Sequence, residues 1–360
     1  MPVSIVEFPV AHRHLRLAVS SIVVAALVAG GCSDDGDDGD DGDDGEGAGS
    51  SQTTVAPGGD GAVPLAVTEV ATGLDTVWSL AWDGAGNLWF TERGGRLTQA
   101  GGRSITVRGV AERGEAGLMG LEFGPDGAIY VMYSSARDNR VVRLHPDGRQ
   151  DVLADGIAVA SIHDGGRLRF GPHGALYAAT GDAGQEDLAP RPDSRNGKVL
   201  RIDVDTGDVE VFSRGRRNVQ GLCFRDDQLF ATEHGPDEGD EINLVTEGSD
   251  GGWPDEVGNG LHNYTPTIAP AGCTFYEDDV IPQWKGSLLF VTLKDQSLRR
   301  LTLAEDGSVT GEEVLHQGAF GRLRDVAVGP DGAVYLATSN RDGRGSPESN
   351  DDRILRIAPA

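Results

Sequence analysis

An all-β fold, a six-bladed β-propeller of four-stranded antiparallel blades, is what this sequence predicts, on three observations. First, six segments share one grammar, a turn followed by a strand of small, apolar and aromatic residues: "GAGNLWFTE", "GPDGAIYVMY", "GPHGALYAAT", "RDDQLFATE", "WKGSLLFVT" and "GPDGAVYLAT". Second, their aligned apolar positions, Leu88, Ile129, Leu176, Leu229, Leu289 and Val334, lie 41, 47, 53, 60 and 45 residues apart. Repeats of about 40–50 residues holding several short strands belong to propellers. Third, no amphipathic helical pattern lies between the segments.

Each unit opens on a matching strand, "SLAWD", "GLEFG", "RLRFG", "GLCFR", "TFYED" or "DVAVG", before its turn. Strand, Asp-Gly type turn, strand is a β-hairpin whose turn needs positive φ. Every blade buries its faces on its neighbours, so the six units are stable only together. The spare strand "LAVTEVA" at 65–71 can pair with the C-terminal "RILRIAP" and close the ring. The uneven middle intervals predict loops inserted on one face, where binding residues collect. Asp126, Asp331, His145 and His173 read as turn chemistry, and the strand tyrosines and Trp89 as core.

The ends of the chain follow other rules. Residues 1–31 carry His12, Arg13, His14 and Arg16 ahead of "LAVSSIVVAALVAGG", the pattern of a secretory signal. Cys32 directly after "AGG" resembles a bacterial lipobox, which predicts cleavage before Cys32 and its lipidation. Residues 32–62 contain "SDDGDDGDDGDDGEGAGS", which has no apolar partner to bury and reads as a solvated, disordered tether. The propeller then occupies 63–360, exported and touching a membrane only through the lipid. The chain carries a net charge of −26, nine negative charges of it in that Asp-Gly run, so nucleic acid is excluded as a partner. Cys223 and Cys273 form either a disulfide or two buried thiols, since their spacing matches no zinc site.

Function shows where a blade carries residues its hairpin does not need. "HDGG" precedes the inner strand of the third unit and "GDAG" follows the next one. In an antiparallel pair those ends are neighbours, so His163 stands beside Asp182, as a general base and its orienting carboxylate would. "RGRRNVQG" puts Arg217, Asn218 and Gln220 at an equivalent rim, "TLKDQ" puts Lys294 there, and "FGRLRDVAVG" puts Arg322 and Arg324. Four cations converging in an acidic domain repel one another unless an anion holds them together, which predicts a polyanionic ligand.

Taken with "GLDTVWSLAW", "GEAGLMGLEFGPDG", "TEHGPDEGDEINLV" and "PTIAPAGCTFY", these blocks resemble, in order, the soluble sugar dehydrogenases that depend on pyrroloquinoline quinone (PQQ), in the aldose sugar dehydrogenase branch. The resemblance covers about Thr68 to Ile357 and implies the same six-bladed fold. It implies that His163 is the base taking the proton of the anomeric hydroxyl of an aldose, with Asp182 polarising it, as hydride passes from C1 to the quinone and a lactone forms. It further implies PQQ contacts at Glu115, Arg217, Asn218, Thr267, Lys294, Arg322 and Arg324. Backbone carbonyls of Gly235 and Pro236 would bind the Ca²⁺ that grips the cofactor, and Glu241 would bind a second, structural calcium. The final electron acceptor is not named by any motif.

The sequence departs from the family pattern at Thr265, where glucose-oxidising members can carry a bulky substrate-side aromatic, and at Gly251, often tyrosine in relatives. Two other readings stand beside the dehydrogenase. A non-catalytic cell-surface propeller binding a glycan or protein would not need His163 and four cations together. A calcium-dependent hydrolase or lactonase would need a carboxylate-and-asparagine cage in the central channel, which the sequence does not offer.

Overall fold

The computed structural model describes residues 62–360. The predicted leader of residues 1–31, Cys32 and the acidic tether up to residue 61 lie outside the described residues.

Six sheets form the six expected blades. From the axis outward, blade 1 is Val77–Trp82, Leu88–Glu92, Arg96–Gln99 and Ser104–Thr106. Blade 2 is Leu118–Phe123, Ile129–Ser134, Asn139–Leu144 and Gln150–Ile157. Blade 3 is Gly165–Phe170, Leu176–Thr180, Val199–Ile202 and Val209–Arg214. Blade 4 is Val219–Arg225, Gln228–Glu233, Asp240–Val245 and His262–Tyr264. Blade 5 is Pro270–Tyr276, Ser287–Thr292, Leu298–Leu303 and Val309–Leu315. Blade 6 is Leu323–Val328, Val334–Thr338 and Ile354–Pro359, completed by Leu65–Ala71 from the other end of the domain.

That last pairing is the predicted closure, antiparallel from Leu65 opposite Pro359 to Ala71 opposite Ile354. It buries Leu65 and Val67 in one cluster with Leu336, Ile357 and Trp284. Full burial of such side chains contributes roughly 1.5–3 kcal/mol each, so the strand seals the ring with apolar contact as well as backbone pairing. Blade 3 departs from the four-strand pattern: Ser249–Asp250 adds a fifth, parallel strand to its outer edge. The cause is the long interval in blade 4, whose chain wanders before returning as an outer strand of only three residues. Cys223 and Cys273, left open by the sequence, form a disulfide between the inner strands of blades 4 and 5, with Cα atoms 5.8 Å apart.

Because inner strands run toward the hairpin turns, the opposite end of the ring collects the long connections. We call that end the mouth. Below it the axis is filled by ion pairs. Arg167 on blade 3 meets Asp325 on blade 6 at 3.0 Å, and Arg169 meets Glu122 at 3.0 Å. Arg167 also lies 4.4 Å over the Trp78 ring. Burial pushes the Glu122 carboxyl up, against the attraction of Arg169 and Arg167. Among the described residues no helix is long and apolar enough to cross a membrane.

Candidate active site

His163 and Asp182 meet as the strand register requires. Gly165 pairs with Thr180, which brings the segments just outside them together at the mouth. Asp182 Oδ1 accepts from His163 Nδ1 at 2.9 Å. A carboxylate oxygen is an acceptor, so the proton on this bond belongs to Nδ1 and leaves Nε2 as the acceptor. Two backbone features make the contact possible. His163 and Ala183 both adopt positive φ, +57° and +54°, and a Cβ on Gly181 would overlap the His163 carbonyl oxygen. Only glycine lets these two chains pass so closely.

Glu115 reaches the same place from the connection between blades 1 and 2. Its Oε2 accepts the His163 backbone N–H at 3.1 Å, and its Oε1 pairs with Arg344 at 2.6 Å. Burial works to raise the Glu115 carboxyl, but Arg344 and the His163 N–H hold it below the usual carboxylate range. Beside it is a cavity of about 240 Å³, lined among others by Arg93, Glu115, Gln220, His234, Arg324 and Arg344. Burial pushes the His234 imidazole down to about 3, so that wall of the cavity carries no histidine charge near neutral pH.

The four predicted cations are held in different ways. Arg324 donates to Gln220 Oε1 at 2.8 Å, and burial pushes its guanidinium down to about 10. Arg322 lies 2.8 Å from Asp342, which is also 3.5 Å from Arg324. Burial lowers the Arg217 guanidinium, which donates to the His234 carbonyl at 3.1 Å. Lys294 is exposed and donates to Thr267 Oγ1 at 2.6 Å, so this predicted pair stands on the rim, where Leu293 and not Lys294 lines the cavity. The expectation that only a ligand could keep these cations together needs correction. Asp342, from the long connection inside blade 6, already neutralises part of their charge.

Even so, the arrangement is incomplete. Six buried side-chain polar atoms lack a hydrogen-bond partner among the described residues, and three of them are Arg217 Nε, Asn218 Nδ2 and Arg324 Nε. Native interiors rarely leave such donors unmet, because each costs about 1–3 kcal/mol. Three unmet donors on predicted cofactor residues are what a planar polyanion with carboxylate and quinone oxygens would satisfy. The residues present therefore fit PQQ.

Gly235, Pro236 and Glu241 line a second, smaller cavity of about 10 Å³, together with Arg217, Glu233 and Trp253. Glu241 accepts from the Gly258 and Asn259 backbone N–H groups and from Asn243 Nδ2, which also donates to Glu233. Burial raises the Glu233 carboxyl, with Arg216 opposing and Glu241 adding to the rise. Among the described residues no three His, Cys, Asp or Glu side chains converge as a metal cluster. Backbone carbonyls and carboxylates are the oxygen donors that a hard ion such as Ca²⁺ takes, so the residues present fit calcium.

Trp253, Asp342, Arg93 and Arg344 escaped the sequence reading. For Trp253, Asp342 and Arg344 the available signal was a stretch longer than the hairpin repeat needs, whereas Arg93 lies in the short turn between Leu88–Glu92 and Arg96–Gln99 and gave no such signal.

Residues 74–355 match the glucose / sorbosone dehydrogenase family. The chain is 30% identical to the aldose sugar dehydrogenase of Escherichia coli over 79% of its own length and 91% of that protein. The PQQ-bound aldose sugar dehydrogenase of Streptomyces coelicolor is similar in structure, with TM-score 0.74 and 34% identity over 84% of this chain and 99% of that one. An oxidoreductase (glucose dehydrogenase) of Thermus thermophilus is similar too, with TM-score 0.73 and 38% identity over 81% and 99%.

Proposed function

Because this chain belongs to the glucose / sorbosone dehydrogenase family, we propose that it oxidises aldose sugars at C1 to the lactone, with PQQ and Ca²⁺ as cofactors. The observation carrying this reading is the set of unmet donors, Arg217 Nε, Asn218 Nδ2 and Arg324 Nε, around a histidine–aspartate pair. PQQ, when bound, supplies a two-electron acceptor for hydride. Arg217, Asn218, Arg322 and Arg324 hold its carboxylates and ring oxygens by charge-assisted hydrogen bonds of about 1.5–3 kcal/mol each. Thr267 and Lys294 contribute from the rim, and Glu115 from the side of the base.

His163 Nε2 takes the proton of the anomeric hydroxyl, and Asp182 keeps Nδ1 protonated so that Nε2 is free for it. A base so positioned contributes about 10²–10⁴-fold. Gly235 and Pro236 offer carbonyl oxygens to the calcium beside the cofactor, and Glu241 offers its carboxylate to a structural one. We also propose that the chain is exported by residues 1–31 and anchored through a lipid on Cys32, with the acidic tether holding the propeller off the membrane.

The test is to load the purified protein with PQQ and Ca²⁺ and follow reduction of an artificial dye with a panel of aldoses. Sugar-dependent dye reduction is expected. Absence of dye reduction, together with an unchanged quinone absorbance on mixing, would remove the reading.

A further inference from the structure

The part of the chain that leaves the propeller pattern furthest is the stretch from residue 246 to 261. It leaves the third strand of blade 4, runs parallel to the outer strand of blade 3, and climbs to the mouth. Hydrogen bonds from Gly251 N to the Arg214 carbonyl, 2.9 Å, and from Trp253 N to the Gly215 carbonyl, 3.1 Å, hold it there. Its half-buried Trp253 makes two contacts, each to a different part of the site. The indole Nε1–H donates to Asp182 Oδ2 at 2.9 Å. The Arg217 guanidinium lies over the indole ring, 5.3 Å from its centroid.

Both carboxylate oxygens of Asp182 are thereby committed. Oδ1 accepts from His163 Nδ1 and from the Gly184 N–H at 2.7 Å, and Oδ2 accepts from Trp253. A carboxylate bonded on one oxygen can rotate about its last torsion, whereas one gripped on both oxygens cannot. The backbone repeats the link, since the Arg217 carbonyl accepts the Asp182 N–H at 2.8 Å.

We propose that Trp253 is a positioning residue that fixes Asp182, and through it the His163 imidazole, and ties their orientation to the placement of Arg217. This rests on the reading of His163 as base and Arg217 as cofactor contact. Indole suits this role because it donates from one edge and offers a π face to a guanidinium. Arg217 seated on the ring and the N–H aimed at Asp182 then require the same indole orientation, so a displaced Arg217 loosens the base.

Trp253→Phe separates the two contacts, keeping a ring for Arg217 and removing the donor. In the cofactor-free protein, the hydrogen-bonded Nδ1 proton of His163 should give a downfield NMR resonance, assigned by its loss in His163→Ala. In Trp253→Phe its exchange with water is expected to accelerate at least tenfold while the melting temperature stays within a few degrees. In the loaded enzyme kcat should fall on the order of tenfold, as for other partners that orient a functional histidine, with the aldose KM and the PQQ affinity within about twofold. Trp253→Leu, which removes the ring as well, should in addition weaken PQQ binding several-fold.

An unchanged Nδ1 resonance together with unchanged kcat in Trp253→Phe would overturn the proposal. So would a further tenfold loss when Trp253→Phe is added to His163→Ala, because the indole would then act without the imidazole. Full turnover in His163→Ala alone would instead sink the base reading, and the NMR comparison would still decide whether Trp253 holds the pair.

Discussion

The two ends of the ring are made by the same hairpins, yet they are built to opposite standards. At the turn end the chain satisfies itself. Asp126 accepts the Ala128 N–H at 3.0 Å, Asp331 accepts that of Ala333 at 3.3 Å, and Gly127 and Gly332 supply the positive φ. At the mouth glycines such as Gly165 and Gly184 also adopt positive φ, but there residues with side chains do so as well: Thr76, His163, Ala183, Ala269, Gln296 and His316. Of the described non-glycine residues with such φ, Asp226 alone lies at the turn end. Each costs about 1–2 kcal/mol relative to a relaxed backbone. The unmet donors of Arg217, Asn218 and Arg324 are also at the mouth. Strain and unsatisfied polarity gather where a ligand is to be held, and the walls and turns below keep that end in place.

The largest expected effect falls on the mouth alone. His163→Ala should lower kcat by about 10²–10⁴-fold, with the melting temperature and PQQ affinity nearly unchanged, as read by dye reduction and absorbance titration. Turnover within threefold of the parent would break the contrast between the two ends.

Next in size, the walls should answer in stability rather than in chemistry. Reducing the Cys223–Cys273 bond, or replacing both cysteines by serine, frees a 50-residue separation between two inner strands. A loss of about 2–4 kcal/mol in denaturant unfolding is expected, with kcat unchanged at 25 °C. Equal stability of the oxidised and reduced protein would argue against that staple.

A smaller effect distinguishes strain at the mouth by pH. Burial raises the Asp164 carboxyl to about 6 from 3.8, despite its bonds from Asn139 and the Ala160 N–H, and its Oδ2 has no partner among the described residues. The folded state therefore takes up this proton before the unfolded state as pH falls. Stability from this group is complete below about pH 4 and is lost as pH rises through about 6. Asp164→Asn should be more stable than the parent by about 1–3 kcal/mol at pH 7.5, with the gap closing near pH 4. A gap of the same size at both pH values would show that the carboxylate charge is not its cause.

The smallest effect belongs to the turn end. Gly127 has φ +78° and open space around a would-be Cβ. Gly127→Ala should thus cost only the backbone term, about 1 kcal/mol, with kcat and KM unmoved. A change in turnover would mean that the far end communicates with the mouth.

Much of this molecule was readable along the chain. Turns such as Gly-Pro-Asp-Gly and the alternating apolar positions beside them are local signals, and six such turn-and-strand units specify six hairpins that must pack side by side. Leu65 and Val67 alternate as a half-buried strand does, so even the closure by Leu65–Ala71 was legible. The His163–Asp182 pair followed from register alone, since one hairpin links the two residues. Thr267 and Lys294 were found as residues, but their place on the rim, with Lys294 exposed and Thr267 half-buried, was not. Whether Cys223 and Cys273 were joined depended on which inner strands became neighbours.

By itself, then, the sequence determined the blade count, the turn chemistry and the pairing of His163 with Asp182. Only the tertiary structure decided that Asp342 sits between Arg322 and Arg324, that Arg344 caps Glu115, and that Trp253 reaches Asp182 across 71 residues. The physical reason is range. A repeat is written in contacts between close neighbours in the chain, whereas those three contacts depend on where inserted segments come to rest once the blades have packed.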